Sequence, residues 1–408
     1  MKRVVVTGMG GISALGQSWA EINQGLQRYE NTTRYMPQWE IFQGLHAKIA
    51  APITNFTQPE HYPRKKIRSM SRVSILATAA TEHALAMAGL LEDPILTSGE
   101  CGIAYGSSTG GTGAVAELGK LITEHSVYNI NATTYVKMMP HTAAVNVGLF
   151  FGLRGRVIPT SSACTSGSQA IGYAYEAIAM GQQTVMVAGG GEELCPSEVA
   201  VFDVLYATST HNQTPQLTPK PFDATRDGLV IGEGAGTLIL EEYEHAKARG
   251  ATIYAEIVGF ATNCDATHVT EPNKETMEIC IAKALDHAGI AASNIGYISA
   301  HGTATTKGDI AETQATFHVH QSATPISSFK SYVGHTLGAC GALEAWAAIE
   351  MMNQEWFHPT LNLTTPDPLC GDLDYIQGEG RTIATEFVQS NNFAFGGINT
   401  SLVFKRTL

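Results

Sequence analysis

The chain has 408 residues, 44% hydrophobic and 15% charged, the reverse of the balance that keeps chains disordered. That length suggests two or three domains, or one large fused core. Against 37 acidic residues stand 25 Lys and Arg, a net charge of −12 that argues against coating nucleic acid or an anionic membrane. There is no run of about 18 apolar residues to cross a bilayer. The start, MKRVVVTG, goes from a short basic stretch into a strand-like run without a signal cleavage site, so the chain reads as cytoplasmic. Cysteines 101, 164, 195, 264, 280, 340 and 370 are odd in number and scattered, with no C-x-x-C, which excludes a disulfide framework or a structural zinc site.

Short β-branched runs alternate with longer helical stretches. Strands are expected at 4–7, 102–105, 184–188, 237–240, 253–258, 295–300, 387–391 and 401–405, several of them apolar on both faces. Helices are expected at 72–88, 166–180, 276–288, 309–320 and 338–353. Gly89, Gly181 and Gly289 follow three of these as stops. The alternation predicts an α/β architecture. The charged stretch 241–252 is the natural joint between two halves. Residues 207–225, rich in Thr, Pro, Asn and Gln, read as an ordered loop.

Four segments could carry chemistry. TSSACTSG (160–167) puts Cys164 at a helix start, where free N–H groups and the helix dipole favour a thiolate. The alternative there is a buried cysteine packing where strand meets helix. HGTAT (301–305) puts His301 at the C-terminal end of a strand, where α/β sheets bind ligands; Asp309 and Glu312 follow as candidates to cap or complement the next helix. SSFKSYVGHTLGACG (327–341) sets Lys330 five residues before His335, and a lysine in so apolar a stretch needs a charged partner or a function. NNFAFGGIN (391–399) brings glycines for close backbone approach, with Phe393 and Phe395 as pocket walls or core aromatics. A G-x-G near the N-terminus, GMGGIS, ends in Ser13 and lacks the setting of a dinucleotide site.

In their joint order these segments, with RVVVTG near the start and PFDATRDGLVIGEGAGTLILEE in the middle, resemble the elongating β-ketoacyl-acyl carrier protein synthases over nearly the whole chain. The resemblance implies a thiolase-like α/β fold, a layered αβαβα core from two related halves. Residues 1–245 would carry the nucleophile, and residues 246–408 both histidines and the lysine. It implies Cys164 as the acyl-bearing nucleophile, His301 and His335 as the pair that binds the malonyl thioester, and Lys330 as their electrostatic support. Phe395 matches the gating phenylalanine. Phe393, Phe202 and Ala163 would line the substrate site, and Thr303 and Thr305 would meet the carrier's phosphopantetheine arm. The backbone N–H groups of Cys164 and Phe395 would form the oxyanion hole. No cofactor or metal is implied, the pantetheine arm being part of the substrate.

FAFGGIN in the terminal motif position favours a synthase over a thiolase. The two-histidine pattern argues against the starter-type synthases, and Cys164 against a non-catalytic subunit of a synthase complex. The wording also resembles ketosynthases of aryl polyene clusters, so the same chemistry on a polyene or polyketide chain is the alternative to fatty acid biosynthesis. Departures at Thr165, residues 306–308, Phe329 and Ile398 are expected to line or neighbour the site and so to bear on the substrate. Partners implied are acyl and malonyl forms of the carrier protein, and a second copy in a homodimer or a chain-length-factor-like subunit in a heterodimer. The basic cluster Arg64, Lys65, Lys66 and Arg68, with Arg72, is the candidate face for the acidic carrier.

Overall fold

The computed structural model describes residues 1–128, 130–321 and 324–407. Its main sheet has eleven strands: β1 (Val4–Ile12), β2 (Cys101–Gly106), β3 (Val157–Thr160), β4 (Val185–Glu192), β5 (Gly234–Glu242), β6 (Ala255–Cys264), β7 (Ile295–Ser299), β8 (Pro325–Ser327), β9 (Asp374–Tyr375), β10 (Phe387–Phe393) and β11 (Ile398–Arg406). The order across the sheet is β9-β8-β7-β10-β11-β6-β1-β5-β4-β2-β3. From the β3 edge inward, the first half runs third, second, fourth, fifth, first. Beyond β9, the second half runs β8-β7-β10-β11-β6, the same pattern counted from β6. The directions repeat too: β2 pairs in parallel with β3 and β4, as β7 does with β8 and β10, and the remaining pairs in each half are antiparallel. The halves meet through three residues of β1, with Val4 opposite Ile257, Val5 opposite Glu256 and Val6 opposite Ala255.

Six helices build the layers: α1 (Arg72–Met87), α2 (Thr142–Phe151), α3 (Ser166–Ala179), α4 (Lys274–Ala288), α5 (Thr306–His320) and α6 (Cys340–Gln354). α3 and α6 touch each other and strands of both halves, so they form the middle layer. α1 and α2 cover the outside of one half; α4, with α5 packed on it, covers the other. This is the expected αβαβα arrangement. α6 is apolar on nearly every face, as a helix enclosed on all sides must be.

The glycines of GMGGIS serve this packing rather than a nucleotide. A Cβ at Gly8 would lie 2.2 Å from the Ala84 carbonyl oxygen, and one at Gly10 2.6 Å from that of Ala80, so α1 can rest on β1 only where both lack a side chain. Among the described residues no helix is long and apolar enough to cross a membrane.

Candidate active site

Cys164 sits in a 3₁₀ turn, Ala163–Thr165, between β3 and α3. Ala163 has φ of 50°, left-handed backbone that costs a non-glycine residue about 1–3 kcal/mol. Hydrogen bonds of about 1 kcal/mol each offset that cost. Ser166 Oγ donates to the Ala163 carbonyl at 2.7 Å, Thr165 Oγ1 to the Ser162 carbonyl at 2.8 Å, and Cys340 Sγ to the Cys164 carbonyl at 3.2 Å. The internal repeat builds a second such turn, Leu337–Ala339, ahead of α6, with Leu337 at φ 46°.

Cys164 is 4% exposed. Burial pushes its thiol up to about 11, against the backbone N–H groups of Phe395 and of Cys164 itself and the charge of Lys330, which pull it down. The thiolate expected from the helix start is therefore not the resting form: desolvation outweighs the helix-end field. The two N–H groups that converge on the sulfur are the pair expected to form an oxyanion hole.

His301 and His335 arrive from different elements. His301 follows β7, and its loop is held by α5: Glu312 accepts the N–H groups of His301 and Gly302, both at 2.7 Å, and Asp309 those of Thr303 and Ala304, both at 3.1 Å. These carboxylates thus reach back to clamp the HGTAT loop instead of capping their own helix. Burial pushes Glu312 up to about 8, opposed by the two N–H groups it accepts, and Asp309 up to about 6. The PFDATRDG segment completes the clamp. Arg226 is buried between Asp309 at 3.4 Å and Asp367 at 2.7 Å, and it also donates to the Thr306 carbonyl at 3.1 Å. His335 is fixed by its own backbone, which bonds to Val230 and Gly232.

The tautomers of both rings follow from their Nδ1 partners. Lys330 Nζ lies 3.2 Å from His301 Nδ1, and an ammonium can only donate. The Leu337 N–H donates to His335 Nδ1 at 3.2 Å. Each ring therefore carries its proton on Nε2, the nitrogen left for a ligand. Burial, Lys330 and, for His301, the neighbouring His335 hold both imidazoles well below their usual pKa, so both are neutral. The rings stand nearly perpendicular at 87°, with centroids 5.2 Å apart.

Lys330 finds the partner its surroundings demanded: Nζ donates to Glu344 Oε1 at 2.5 Å, and both residues are 1% exposed. Burial lowers Lys330, but the charge and hydrogen bond of Glu344 oppose it and keep it an ammonium. Sequence reasoning missed Glu344. Its signal was there: a carboxylate at the heart of an apolar helix is the complement of a lysine in an apolar stretch.

Cys164, His301 and His335 line one cavity of about 360 Å³, with one sulfur or nitrogen atom of each within 4.8 Å of the others. Phe202, Phe393 and Phe395 line it, with the Phe202 and Phe395 rings 5.0 Å apart and Phe393 6.2 Å from the His301 ring. Thr303 and Thr305 also line it, their hydroxyls 2.9 Å apart. Ala163 packs in the same apolar cluster as Cys164 and Phe395. His301, Cys340 and Glu344 form a second close group, but that group already surrounds a cation, the Lys330 ammonium.

Of the departures from the family wording, residues 306–308 line the cavity, while Thr165, next to Cys164, bonds within its own turn and Phe329, next to Lys330, packs in the main core. Thr165, Phe329 and Ile398 are not among the lining residues. In the basic cluster Arg64, Lys65, Lys66, Arg68 and Arg72 are all exposed; Lys66 also donates to the Phe150 carbonyl at 2.6 Å, and Arg72 grips Glu233 at 2.7 and 2.9 Å.

A cysteine and two neutral histidine donors converging in one cavity define a thioester-handling acyltransferase. Residues 1–246 match the β-ketoacyl synthase N-terminal domain and residues 254–364 its C-terminal domain, so the chain belongs to the β-ketoacyl synthase family of condensing enzymes. It is 38% identical to a 3-oxoacyl-[acyl-carrier-protein] synthase 2 from Rhizobium meliloti, over 100% of this chain and 99% of that protein. Among solved structures, a β-ketoacyl synthase from Burkholderia phymatum is 59% identical with a TM-score of 0.99, each chain covered in full. A type II polyketide ketosynthase solved with its acyl-carrier protein and a bound hexaketide is 31% identical, TM-score 0.88, again with both chains covered in full.

Proposed function

We propose that the chain extends a carrier-bound acyl group by two carbons in fatty acid biosynthesis, by decarboxylative Claisen condensation with malonyl-acyl carrier protein. The observation that carries this reading is the convergence of Cys164 with two Nε2–H donors in one cavity. The Cys164 sulfur attacks the carrier's acyl thioester, and the N–H groups of Cys164 and Phe395 hold the developing oxyanion. The pantetheine sulfur leaves and takes up the proton that Cys164 loses. The malonyl thioester then places its carbonyl oxygen against Nε2–H of His301 and His335. Loss of CO2 leaves an enolate, which those neutral donors stabilise without surrendering a proton. The enolate carbon attacks the Cys164 thioester, a carbon–carbon bond forms, and the cysteine sulfur departs and is reprotonated. The carbanion comes from decarboxylation, so no redox or nucleotide cofactor enters.

Carrier protein docks at the exposed Arg64, Lys65, Lys66 and Arg68, whose charge complements an acidic partner. The working unit is a homodimer: β3 pairs on one side only, and its outer edge offers unpaired backbone groups beside a half-exposed Val157. Similarity to a polyketide ketosynthase favours a second reading, in which the same steps extend a polyene or polyketide chain.

The test is intact-mass analysis after incubation with saturated acyl-carrier or aryl-polyene-carrier primers, followed by malonyl-carrier. A Cys164 adduct from the saturated primer with subsequent CO2 release supports the fatty acid reading. An adduct from the polyene primer alone moves the enzyme to the specialised pathway. Cys164→Ala is expected to keep its fold and form no adduct; an adduct on that variant would overturn the nucleophile.

A further inference from the structure

Asn392, the second asparagine of NNFAFGGIN, takes part in none of the steps above, yet it is fully buried at the end of β10 beside them. Its amide Nδ2 donates to Glu344 Oε2 at 2.6 Å and lies 3.4 Å from His301 Nδ1. Lys330 occupies the other oxygen of the same carboxylate and approaches the same ring nitrogen. One carboxylate and one imidazole nitrogen are thus each approached by the same two donors, one charged and one neutral.

The amide orientation is fixed by chemistry: a carboxylate paired with an ammonium only accepts, so the nitrogen faces Glu344. The other end of the amide has no comparable purpose. Asn392 Oδ1 is buried and finds no hydrogen-bond partner among the described residues, a cost that calls for an explanation. Space is also reserved for it, since a Cβ at Gly341 would come within 2.7 Å of Oδ1.

We propose that Asn392 is a positioning residue for decarboxylation. It holds Glu344 so that Lys330 stays aimed at His301 Nδ1, and its own N–H supports that nitrogen as an acceptor, which keeps the His301 proton on Nε2 toward the malonyl carbonyl. Acyl transfer to Cys164 uses the backbone N–H groups instead and does not depend on this arrangement. The inference rests on the proposed condensation, and wild-type CO2 release from malonyl-carrier is the control that tests that reading separately.

The experiment compares wild type with Asn392→Asp and Asn392→Ser in two half-reactions: acylation of Cys164 by intact mass, and CO2 release from malonyl-carrier at pH 6 to 9. Asn392→Asp nearly preserves shape but sets a second carboxylate against Glu344, so the pair must share a proton. Its decarboxylation is expected to fall at least tenfold and to decline further with rising pH as that proton is lost, a limb absent from wild type. Asn392→Ser, too short to reach both partners, is expected to lose at least fivefold in decarboxylation without that pH limb. Acylation should stay within about threefold of wild type in both. Equal loss in both half-reactions, or wild-type decarboxylation in either variant across the pH range, would overturn the proposal.

Discussion

At Cys164 two influences on a thiol pull in opposite directions. A helix start and convergent N–H groups favour the thiolate, by an amount that falls off within a turn. Burial favours the thiol, and it wins, pushing the group up to about 11. Inactivation of the free enzyme by iodoacetamide should therefore accelerate by about tenfold per pH unit between pH 7 and pH 10. A plateau reached by pH 8 would show that the site sustains a resting thiolate after all. Lys330 and Glu344 make a different kind of prediction. Removing one member of a buried ion pair costs about 3–5 kcal/mol, because the other charge is left unpaired. Lys330→Met should lose about that much stability in urea unfolding, whereas adding Glu344→Leu should restore most of it and leave decarboxylation abolished. If the double variant regained activity with stability, the pair would be structural only.

Among the elements, the loop after β7 depends on carboxylates borrowed from elsewhere. Asp309 and Glu312 reach it from α5, and Arg226 and Asp223 fasten the surrounding loops. Asp223 illustrates the principle. Burial alone would raise it, but the N–H groups of Thr365, Thr364 and Thr225, with the Thr225 hydroxyl, hold it far below the ordinary carboxylate range. A depressed carboxylate stabilises the fold fully above its unfolded pKa of about 3.9, and that contribution is lost as pH falls further. The stability gap between wild type and Asp223→Asn should thus be constant above pH 5 and shrink below pH 4 in urea titrations. A gap that did not change with pH would mean the asparagine merely disturbs packing.

For the whole molecule, the repeat of strand order and direction about the β1–β6 seam has a functional result. It brings the start of α3 and the start of α6, from opposite halves, to the same place between the two halves of the sheet. Cys164 comes from one copy of the pattern, and His301 and His335 come from the other. In the proposed homodimer, the free edge of β3 is where the second chain would continue the sheet. Val157→Lys, which places a charge at that edge, is expected to shift the mass by light scattering from dimer toward monomer. An unchanged dimer mass would place the interface elsewhere.

The eight strands and five helices expected from periodicity are all present, because each is long enough to show its own pattern of burial. β3, β8 and β9 were missed: with two to four residues each, they are strands only because neighbours pair with them. Cys164, His301, Lys330 and His335 were legible because each stands out locally, a thiol among small residues or a charge in an apolar run. Glu344 and Asn392 were not, since an acid in a helix and an amide in a strand are ordinary until their neighbours are known. The sequence by itself determined the alternation of elements, the apolar middle helices and the reactive side chains. Only the tertiary structure decided which carboxylate meets the lysine, which nitrogen of each histidine keeps its proton, and that burial leaves the cysteine a thiol. Those outcomes depend on desolvation and on contacts between residues far apart in the chain, and neither is written in local spacing.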